Sequence, residues 1–341
     1  MGLNIAEIVP RTSLEFSELK GKIIAVDAFN TIYQFLSTIR QQDGTPLMDK
    51  KGNITSHISG LFYRNLALLQ EGIKLVYVFD GLPPELKKKT NERRAEIKQE
   101  AKVKYDDAKS REDYESMRKY SQQLTKIDQK IIDESKELLE AMGICVLQAP
   151  GEGEAQAAYL AKKEKVYAVA SQDYDSLLFQ APRLIQNLTL ARTRKTVSGV
   201  VHISPEIIDL QEVLNNLQIS LDQLICLGIL AGTDYNPGGI KGIGQKKALD
   251  IVRKNKQPYL IFKSVEELIN NLPGERKFNW EDIYELFHKP AVKDFEIEFP
   301  KFDEDKIRKI LSEKDFSEER IKSGLGKMDE AKKKGQQKTL F

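Results

Sequence analysis

Seven carboxylates in this sequence stand directly after apolar segments or in the turns that follow them. Acids crowded at one place repel one another unless cations compensate, and hard divalent ions such as Mg²⁺ bind carboxylate oxygens, waters and substrate phosphates. Two such ions about 4 Å apart could hold a phosphodiester, generate a hydroxide at neutral pH and stabilise the leaving oxygen. The pattern therefore predicts a two-metal hydrolytic site whose ligands are Asp27, Asp80, Glu152, Glu154, Asp173, Asp175 and Asp234.

An acid that stands alone has a simpler interpretation, because a carboxylate at the start of a helix caps it and favours its dipole. That interpretation weakens for the whole set, since acids two residues apart occur twice, which exceeds what capping needs. The pairs are Glu152 with Glu154 and Asp173 with Asp175. A histidine base is poorly supported, because none of the three histidines belongs to a motif; they are His57, His202 and His288.

Four short apolar segments would have to position these acids. They are residues 22–26, 73–79, 143–147 and 166–170, each continuous, rich in β-branched side chains and followed by a polar turn. Helical patterns lie between them, which predicts βαβ units and an α/β fold with a mostly parallel central sheet flanked by helices. In such open sheets ligands bind at the carboxyl ends of the strands, where Asp27 and Asp80 stand.

The stretch from residue 84 to residue 131 is dominated by Lys, Arg, Glu and Asp and has no strand signal. It predicts one or two exposed helices inserted between two strands. Lys87 and Arg94 lie seven residues apart, which places them on one face of a helix that Lys98 continues. Taken alone, this pattern is typical of a solvated amphipathic helix. Its start a few residues after Asp80 favours a role at the acidic site instead.

The bulk composition limits the class of protein. The chain has 341 residues and a formal net charge of +2, so any nucleic-acid surface must come from local segregation of charge. Its two cysteines, Cys145 and Cys226, lie in apolar runs and predict core positions. No apolar run approaches the ~20 residues that span a membrane, and the N-terminus has no signal-peptide pattern, so we expect an intracellular, cytoplasmic protein. We predict an α/β core over residues 1–235, a helical region over 236–330 and a flexible tail over 331–341.

Several motifs, taken in order, resemble one known family. They are VDAFNTIYQF, VYVFDGLPPELK, APGEGEAQAAYL, ASQDYDSLLF, LGILAGTDYNPGGIKGIG and the tail GQQKTLF. They span essentially the whole chain and resemble the flap endonuclease 1 family, in its archaeal type, whose members are structure-specific 5′-nucleases of replication and repair. The resemblance implies a PIN-like 5′-nuclease fold, with residues 84–131 as a helical arch and a C-terminal helix–two-turn–helix. It also implies hydrolysis of DNA as a 5′ flap endonuclease and 5′-3′ exonuclease, including Okazaki fragment maturation.

The resemblance further assigns roles at the catalytic site. Two Mg²⁺ ions, for which Mn²⁺ can substitute, would be the cofactors. One ion would be surrounded by Asp27, Asp80, Glu152 and Glu154, and the second by Asp173, Asp175 and Asp234. Lys87 and Arg94 would be the catalytic residues that engage the scissile phosphate. One departure concerns Gly151 and Gly153, where the family often has Ser or Cys and Ala, which predicts a looser turn.

Contacts with branched DNA that carries a 5′ flap follow from the same resemblance, at Tyr33, Arg40, Arg64, Gly242, Gly244, Lys246 and Lys247. Tyr33 would stack on the base beside the cleavage site, which is physically sensible for an aromatic ring. The glycines belong to a turn into a helix whose free amides bind phosphate. In the family this helix–two-turn–helix grips duplex backbone, with K⁺ held by backbone carbonyls.

The end of the sequence resembles the opening of the box that binds the sliding clamp (PCNA), through Gln337, Leu340 and Phe341. The paired aromatics that the family has next are not in this sequence. That difference predicts either a shortened chain or weaker clamp binding. We otherwise expect a monomer with no membrane partner.

Two other functions stay open. A related 5′-nuclease that prefers gapped ends, bubbles or junctions would use the same acids, although the short insertion after Pro84 disfavours the bubble-cutting relatives, whose insertion is much longer. A non-catalytic DNA-binding scaffold would gain nothing from seven clustered negative charges facing DNA. Relative cleavage rates across substrates separate the two enzymes, and binding without metal-dependent cleavage would support the scaffold.

Overall fold

Seven strands form the central sheet of the computed structural model, which describes residues 3–41, 43–189, 193–196 and 199–336. The strands are β1 (Thr12–Ser13), β2 (Ile23–Asp27), β3 (Lys74–Phe79), β4 (Cys145–Gln148), β5 (Ala168–Ala170), β6 (Arg183–Gln186) and β9 (Glu206–Asp209), and a separate hairpin pairs β7 (Thr193–Thr196) with β8 (Gly199–His202). Their order is β1-β9-β6-β5-β2-β3-β4. The five strands from β6 to β4 are parallel, whereas β9 runs antiparallel to both of its neighbours, β6 and β1. The predicted mostly parallel sheet is confirmed.

Helices cover both faces of this sheet. They are α1 (Ala28–Thr38), α2 (Ser56–Gln70), α3 (Lys88–Ser110), α4 (Tyr114–Gln123), α5 (Gln129–Ala141), α6 (Gly153–Lys162), α7 (Asp175–Leu178), α8 (Leu210–Leu217), α9 (Leu221–Ala231), α10 (Gln245–Lys254), α11 (Pro258–Lys263), α12 (Glu266–Asn270), α13 (Trp280–His288), α14 (Glu304–Glu313) and α15 (Glu318–Gln336). No single helix among the described residues is long and apolar enough to span a bilayer, and one bent pair, α8 with α9, passes that test on length and composition alone.

The central strands are continuous apolar runs because both of their faces are buried. In β2, Ile24 and Val26 pack into the hydrophobic cluster on one face, and Ala25 packs into the cluster on the other. In β3, Tyr77 packs into the cluster that contains Ile24 and Val26, and Val76 packs into the cluster that contains Ala25. Alternate side chains therefore enter two separate cores, and the sheet forms the middle of three layers.

The C-terminal helices complete both outer layers and do not form a core of their own. Val252, Ile261 and Phe287, from α10, α11 and α13, join the cluster that contains Ala25. Ile307 and Ile321, from α14 and α15, join the cluster on the opposite face. The predicted division at residues 235 and 236 therefore separates stretches of sequence that share the same hydrophobic cores.

Two sequence expectations differ from the structure. Strands β1, β6 and β9 and the hairpin of β7 and β8 were not among the four predicted strands, because none of them contains more than two consecutive apolar residues, which is too short a run for a signal. The tail predicted to be flexible begins as helix, since α15 continues to Gln336. The clamp-binding residues Gln337, Leu340 and Phe341 lie outside the described residues.

The charged insertion forms two helices, α3 and α4, which pack against each other. Ala101, Ala108 and Met117 are its buried apolar residues. The base of the insertion is tied to the segment after α1, where the Ser121 hydroxyl donates to the Gly44 carbonyl at 2.8 Å. The insertion is therefore a packed helical pair fixed at its base.

The C-terminal helix offers a test of this packing at two glycines. A Cβ at Gly324 would lie 2.5 Å from the Phe62 ring of α2, whereas a Cβ at Gly326 would meet no atom within 4 Å. Gly324→Ala is expected to lower the free energy of unfolding by about 1–3 kcal/mol through overpacking. Gly326→Ala should raise it by about 0.5–1 kcal/mol, because alanine favours the helix. Denaturant unfolding of both variants checks this, and equal effects would contradict the docking of α15 on α2.

Candidate active site

Asp27 and Asp80 lie at the carboxyl ends of neighbouring parallel strands. Asp27 ends β2 and caps α1, where its Oδ1 accepts from the Asn30 amide at 3.0 Å. Asp80 follows β3, and its Oδ1 accepts from the Gly153 amide at 2.6 Å. The pairing of β2 with β3 therefore brings the two acids to the same edge of the sheet.

At Gly153 the turn before α6 is tighter than the looser turn that the sequence predicts. A Cβ there would lie 2.8 Å from Asp80 Oδ1 and 2.9 Å from the Val78 carbonyl. Glycine therefore allows the start of α6 to approach the end of β3 closely. The result is a direct backbone hydrogen bond to Asp80 rather than a slack loop.

Glu154 and Asp173 reach the same edge from the turns after β4 and β5. The Ser171 hydroxyl lies 3.0 Å from Glu154 Oε1 and 3.4 Å from Asp27 Oδ2. The Asn30 side-chain amide donates to Asp173 Oδ2 at 2.8 Å. The backbone and side-chain amides of Asn30 thus join Asp27 to Asp173. The single Ser171 hydroxyl lies between Glu154 and Asp27. Neither Ser171 nor Asn30 was singled out from the sequence, although each stands within three residues of a predicted ligand.

Asp175 and Asp234 complete the group from two further elements. Asp175 begins α7 and accepts from the Leu3 amide at 3.3 Å. Asp234 follows α9, and both of its carboxylate oxygens accept from Arg94 Nη2, at 2.9 and 2.8 Å. The Lys87 ammonium lies 3.4 Å from Asp234 Oδ2. The Lys87 ammonium also forms an ion pair with Glu152.

Lys87 and Arg94 therefore converge on one carboxylate, as their spacing suggests. Lys87 stands in a short 3-10 turn just before α3, and Arg94 lies in the second turn of that helix. The Thr90 hydroxyl, between them in sequence, donates to the backbone carbonyl of Asp234. Three side chains thus fasten the start of the insertion to the acidic edge.

Burial is the main cause of the unusual pKa values of the acids. It raises the pKa of Asp27 to about 8, with the nearby Asp80 charge adding to the effect. Burial and neighbouring acids hold the pKa values of Glu154 and Asp175 well above their ordinary range. The pKa of Asp234 is lowered, because Lys87 and Arg94 outweigh its burial. The edge therefore carries more buried acid than its two cations compensate.

The raised pKa of Asp27 has a consequence for stability. Above pH 4, near the ordinary pKa of an aspartate, the unfolded chain releases a proton that the folded chain keeps until about pH 8. The free energy of unfolding therefore falls as pH rises from 4 toward 8, by at most about 1.4 kcal/mol per pH unit. Thermal unfolding in chelator at pH 5.5 and pH 8 measures this loss. Asp27→Asn should shrink the difference between the two pH values. A variant with the same pH difference as the unsubstituted chain would contradict the assignment.

The chemistry of the donors fits hard divalent cations. All seven predicted ligands are carboxylates, which suit Mg²⁺ and Mn²⁺ better than zinc. Within the described ranges no three His, Cys, Asp or Glu side chains converge as ligands of a single ion. Glu152 and Asp234 are directed instead toward Lys87 and Arg94. Metal loading would therefore require these carboxylates to exchange partners.

The aromatic and basic residues predicted to contact DNA have different surroundings. Tyr33 lies on α1 with 42% of its surface exposed. The Arg40 guanidinium is engaged within the chain, donating to the Gly44 carbonyl at 2.8 Å and to the Thr125 hydroxyl at 2.6 Å. Burial lowers the pKa of Arg64, which is half-buried on α2. Of these three, Tyr33 has the freest surface for a ligand, whereas Arg40 braces the insertion.

The glycine-rich turn leads into α10 as expected. Gly242 has a φ of +83°, which favours glycine, and Gly244 precedes the first residue of α10 without a side-chain cap. Lys246 forms an exposed ion pair with Glu7 at 2.9 Å, and Lys247 is exposed. The helix thus begins with backbone amides that no side chain caps.

A mostly parallel sheet whose carboxyl edge carries buried acids beneath a basic helical insertion is an arrangement suited to divalent cations and phosphate groups. The sequence models of the XPG N-terminal domain and the XPG I-region match residues 4–101 and 143–234. Flap endonuclease 1 of Pyrococcus furiosus is 53% identical over 347 residues, covering 100% of this chain and 98% of that protein. Flap endonuclease 1 of Pyrococcus abyssi is 52% identical over 343 residues, covering 100% and 97%.

Solved structures agree with this match. The flap endonuclease-1 from Methanococcus jannaschii has a TM-score of 0.74 and 40% sequence identity, and the match covers 97% of this chain and 98% of that one. The chain belongs to the flap endonuclease 1 family.

Proposed function

We propose that this protein is a structure-specific 5′ flap endonuclease and 5′-3′ exonuclease of DNA replication, including Okazaki fragment maturation, and repair. The observation that carries the proposal is the convergence of Lys87 and Arg94 on Asp234 at an edge that holds six further acids. Such an edge can bind a phosphodiester only when cations are present. The names of the close relatives support the flap as its substrate.

Two Mg²⁺ ions held by the seven acids, or Mn²⁺ in their place, would supply an activated water and neutralise charge on the scissile phosphate. Lys87 and Arg94 would turn from Glu152 and Asp234 toward that phosphate. Tyr33 would stack on the adjacent base. The strand that stays in the duplex would carry the new 5′-phosphate, and the released flap would end in a 3′-hydroxyl.

Selection of a flap would depend on shape rather than on sequence. The start of α10, after Gly242 and Gly244, offers backbone amides to duplex phosphates, with K⁺ as a candidate ion at the turn, and Lys246 and Lys247 add charge. The two helices of the insertion, α3 and α4, would admit a single-stranded 5′ end. We further propose a cytoplasmic monomer whose C-terminal residues bind a sliding clamp.

A labelled double-flap DNA tests the substrate directly. Incubation with Mg²⁺ is expected to release the flap by one cut, one nucleotide into the duplex, and Ca²⁺ is expected to support binding without cleavage. Nicked, gapped, bubble and four-way-junction DNA serve as matched substrates. Faster cleavage of any of these would assign a related 5′-nuclease activity, and binding with no Mg²⁺-dependent cleavage would assign a scaffold.

A further inference from the structure

Glu152 is held by two donors, one on each carboxylate oxygen. Lys87 donates to Oε1, and the hydroxyl of Tyr235 donates to Oε2. The first donor is a long flexible cation that the proposed function moves to the substrate. The second is a neutral hydroxyl on a rigid ring.

Tyr235 is fixed from both its backbone and its ring. Its amide donates to the Thr233 hydroxyl at 3.1 Å, and that hydroxyl lies 2.8 Å from Asn236 Oδ1. The Asn236 side chain in turn donates to the Ile229 carbonyl in α9, at 2.7 Å. The ring is 6% exposed and meets Phe287 edge-on, with 5.4 Å between centroids. The hydroxyl therefore has little freedom to leave Glu152.

We propose that Tyr235 is a positioning residue that holds Glu152 in its ligand orientation when Lys87 moves to the phosphate. This inference rests on the proposed function. Without Lys87, the Tyr235 hydroxyl is the remaining side-chain donor that the structure gives Glu152 among the described residues. A hydrogen bond to a metal-binding carboxylate fixes its orientation, and removal of such a partner typically weakens metal binding about 10–100-fold.

Tyr235→Phe keeps the ring and removes the hydroxyl. The Mg²⁺ concentration that gives half-maximal cleavage should rise about tenfold, while kcat at saturating Mg²⁺ stays within about twofold of the unsubstituted chain. Ca²⁺ affinity, measured by calorimetry without DNA, should fall in parallel. The matched control is Tyr77→Phe, because Tyr77 is also buried and its hydroxyl donates to Asn65 at 2.8 Å on the α2 side of the sheet. That control should leave both metal measurements unchanged.

A double-mutant cycle separates positioning from general damage. In a Glu152→Ala background, which removes the acceptor of the Tyr235 hydroxyl, Tyr235→Phe should no longer change Ca²⁺ affinity, because its effect acts through that side chain. An unchanged Mg²⁺ requirement and Ca²⁺ affinity in Tyr235→Phe would overturn the inference. So would a loss of cleavage that Mg²⁺ cannot restore while Ca²⁺ affinity is intact. If the unsubstituted chain does not cut flap DNA, the proposed function fails, and the Ca²⁺ cycle still decides the role of Tyr235.

Discussion

Asp80→Asn is expected to lower single-turnover cleavage of a double flap by about 1000-fold or more, equivalent to about 4 kcal/mol of transition-state stabilisation. Asparagine has nearly the same shape and can still accept the Gly153 amide through its side-chain oxygen, so the turn at the start of α6 should persist. The negative charge that would balance a divalent cation is lost. Rapid-quench kinetics with excess enzyme measures the effect free of product release.

The same substitution should make the metal-free chain more stable. Burial and the neighbouring charge of Asp234 raise the pKa of Asp80, so a neutral side chain relieves an unfavourable environment. The matched control is Asp305→Asn, which removes an exposed acid from the first turn of α14. It should change neither cleavage nor the metal-free melting temperature appreciably. Full activity of Asp80→Asn would exclude Asp80 as a metal ligand and would contradict the proposed site.

The strand-end acids could be predicted because their signal is local. Asp27 and Asp80 each follow a continuous apolar run, and parallel strands bring their carboxyl ends to one edge. Burial on both faces makes such runs conspicuous, whereas β6 and β9 each contain only two consecutive apolar residues. The strength of the sequence signal therefore follows the amount of apolar surface that an element buries.

The supporting contacts could not be predicted because their partners are distant in sequence. Tyr235 reaches Glu152 across 83 positions, and Arg40 reaches Thr125 across 85. An aromatic in an apolar motif indicates a core residue, and an arginine on a helix indicates a surface one. Only the tertiary arrangement gives the hydroxyl of Tyr235 a carboxylate and gives Arg40 a bracing role. The DNA contact predicted for Arg40 remains a prediction.

Arg94→Met is expected to lower single-turnover cleavage by about 100–1000-fold, the range for loss of one preorganised donor to developing charge. Arg94 is half-buried, and its bonds to both oxygens of Asp234 hold the guanidinium at the acidic edge. From there a small rotation could direct it to a phosphate bound between the acids and the insertion. Methionine keeps most of the side-chain length but carries no charge. Arg94→Lys should restore little of the cleavage rate, because an ammonium cannot reproduce the planar set of donors of a guanidinium.

The adjacent residue provides the control for this prediction. Arg93 is exposed on α3, so Arg93→Met removes the same charge from the same helix and leaves the Arg94 bonds to Asp234 in place. General electrostatic attraction of DNA would weaken equally in both variants, and anisotropy at several salt concentrations measures that loss. Only Arg94→Met should lose the chemical step. Equal loss in the two variants would reduce Arg94 to one of many charges on the insertion, and a selective loss would establish that it acts on the scissile phosphate.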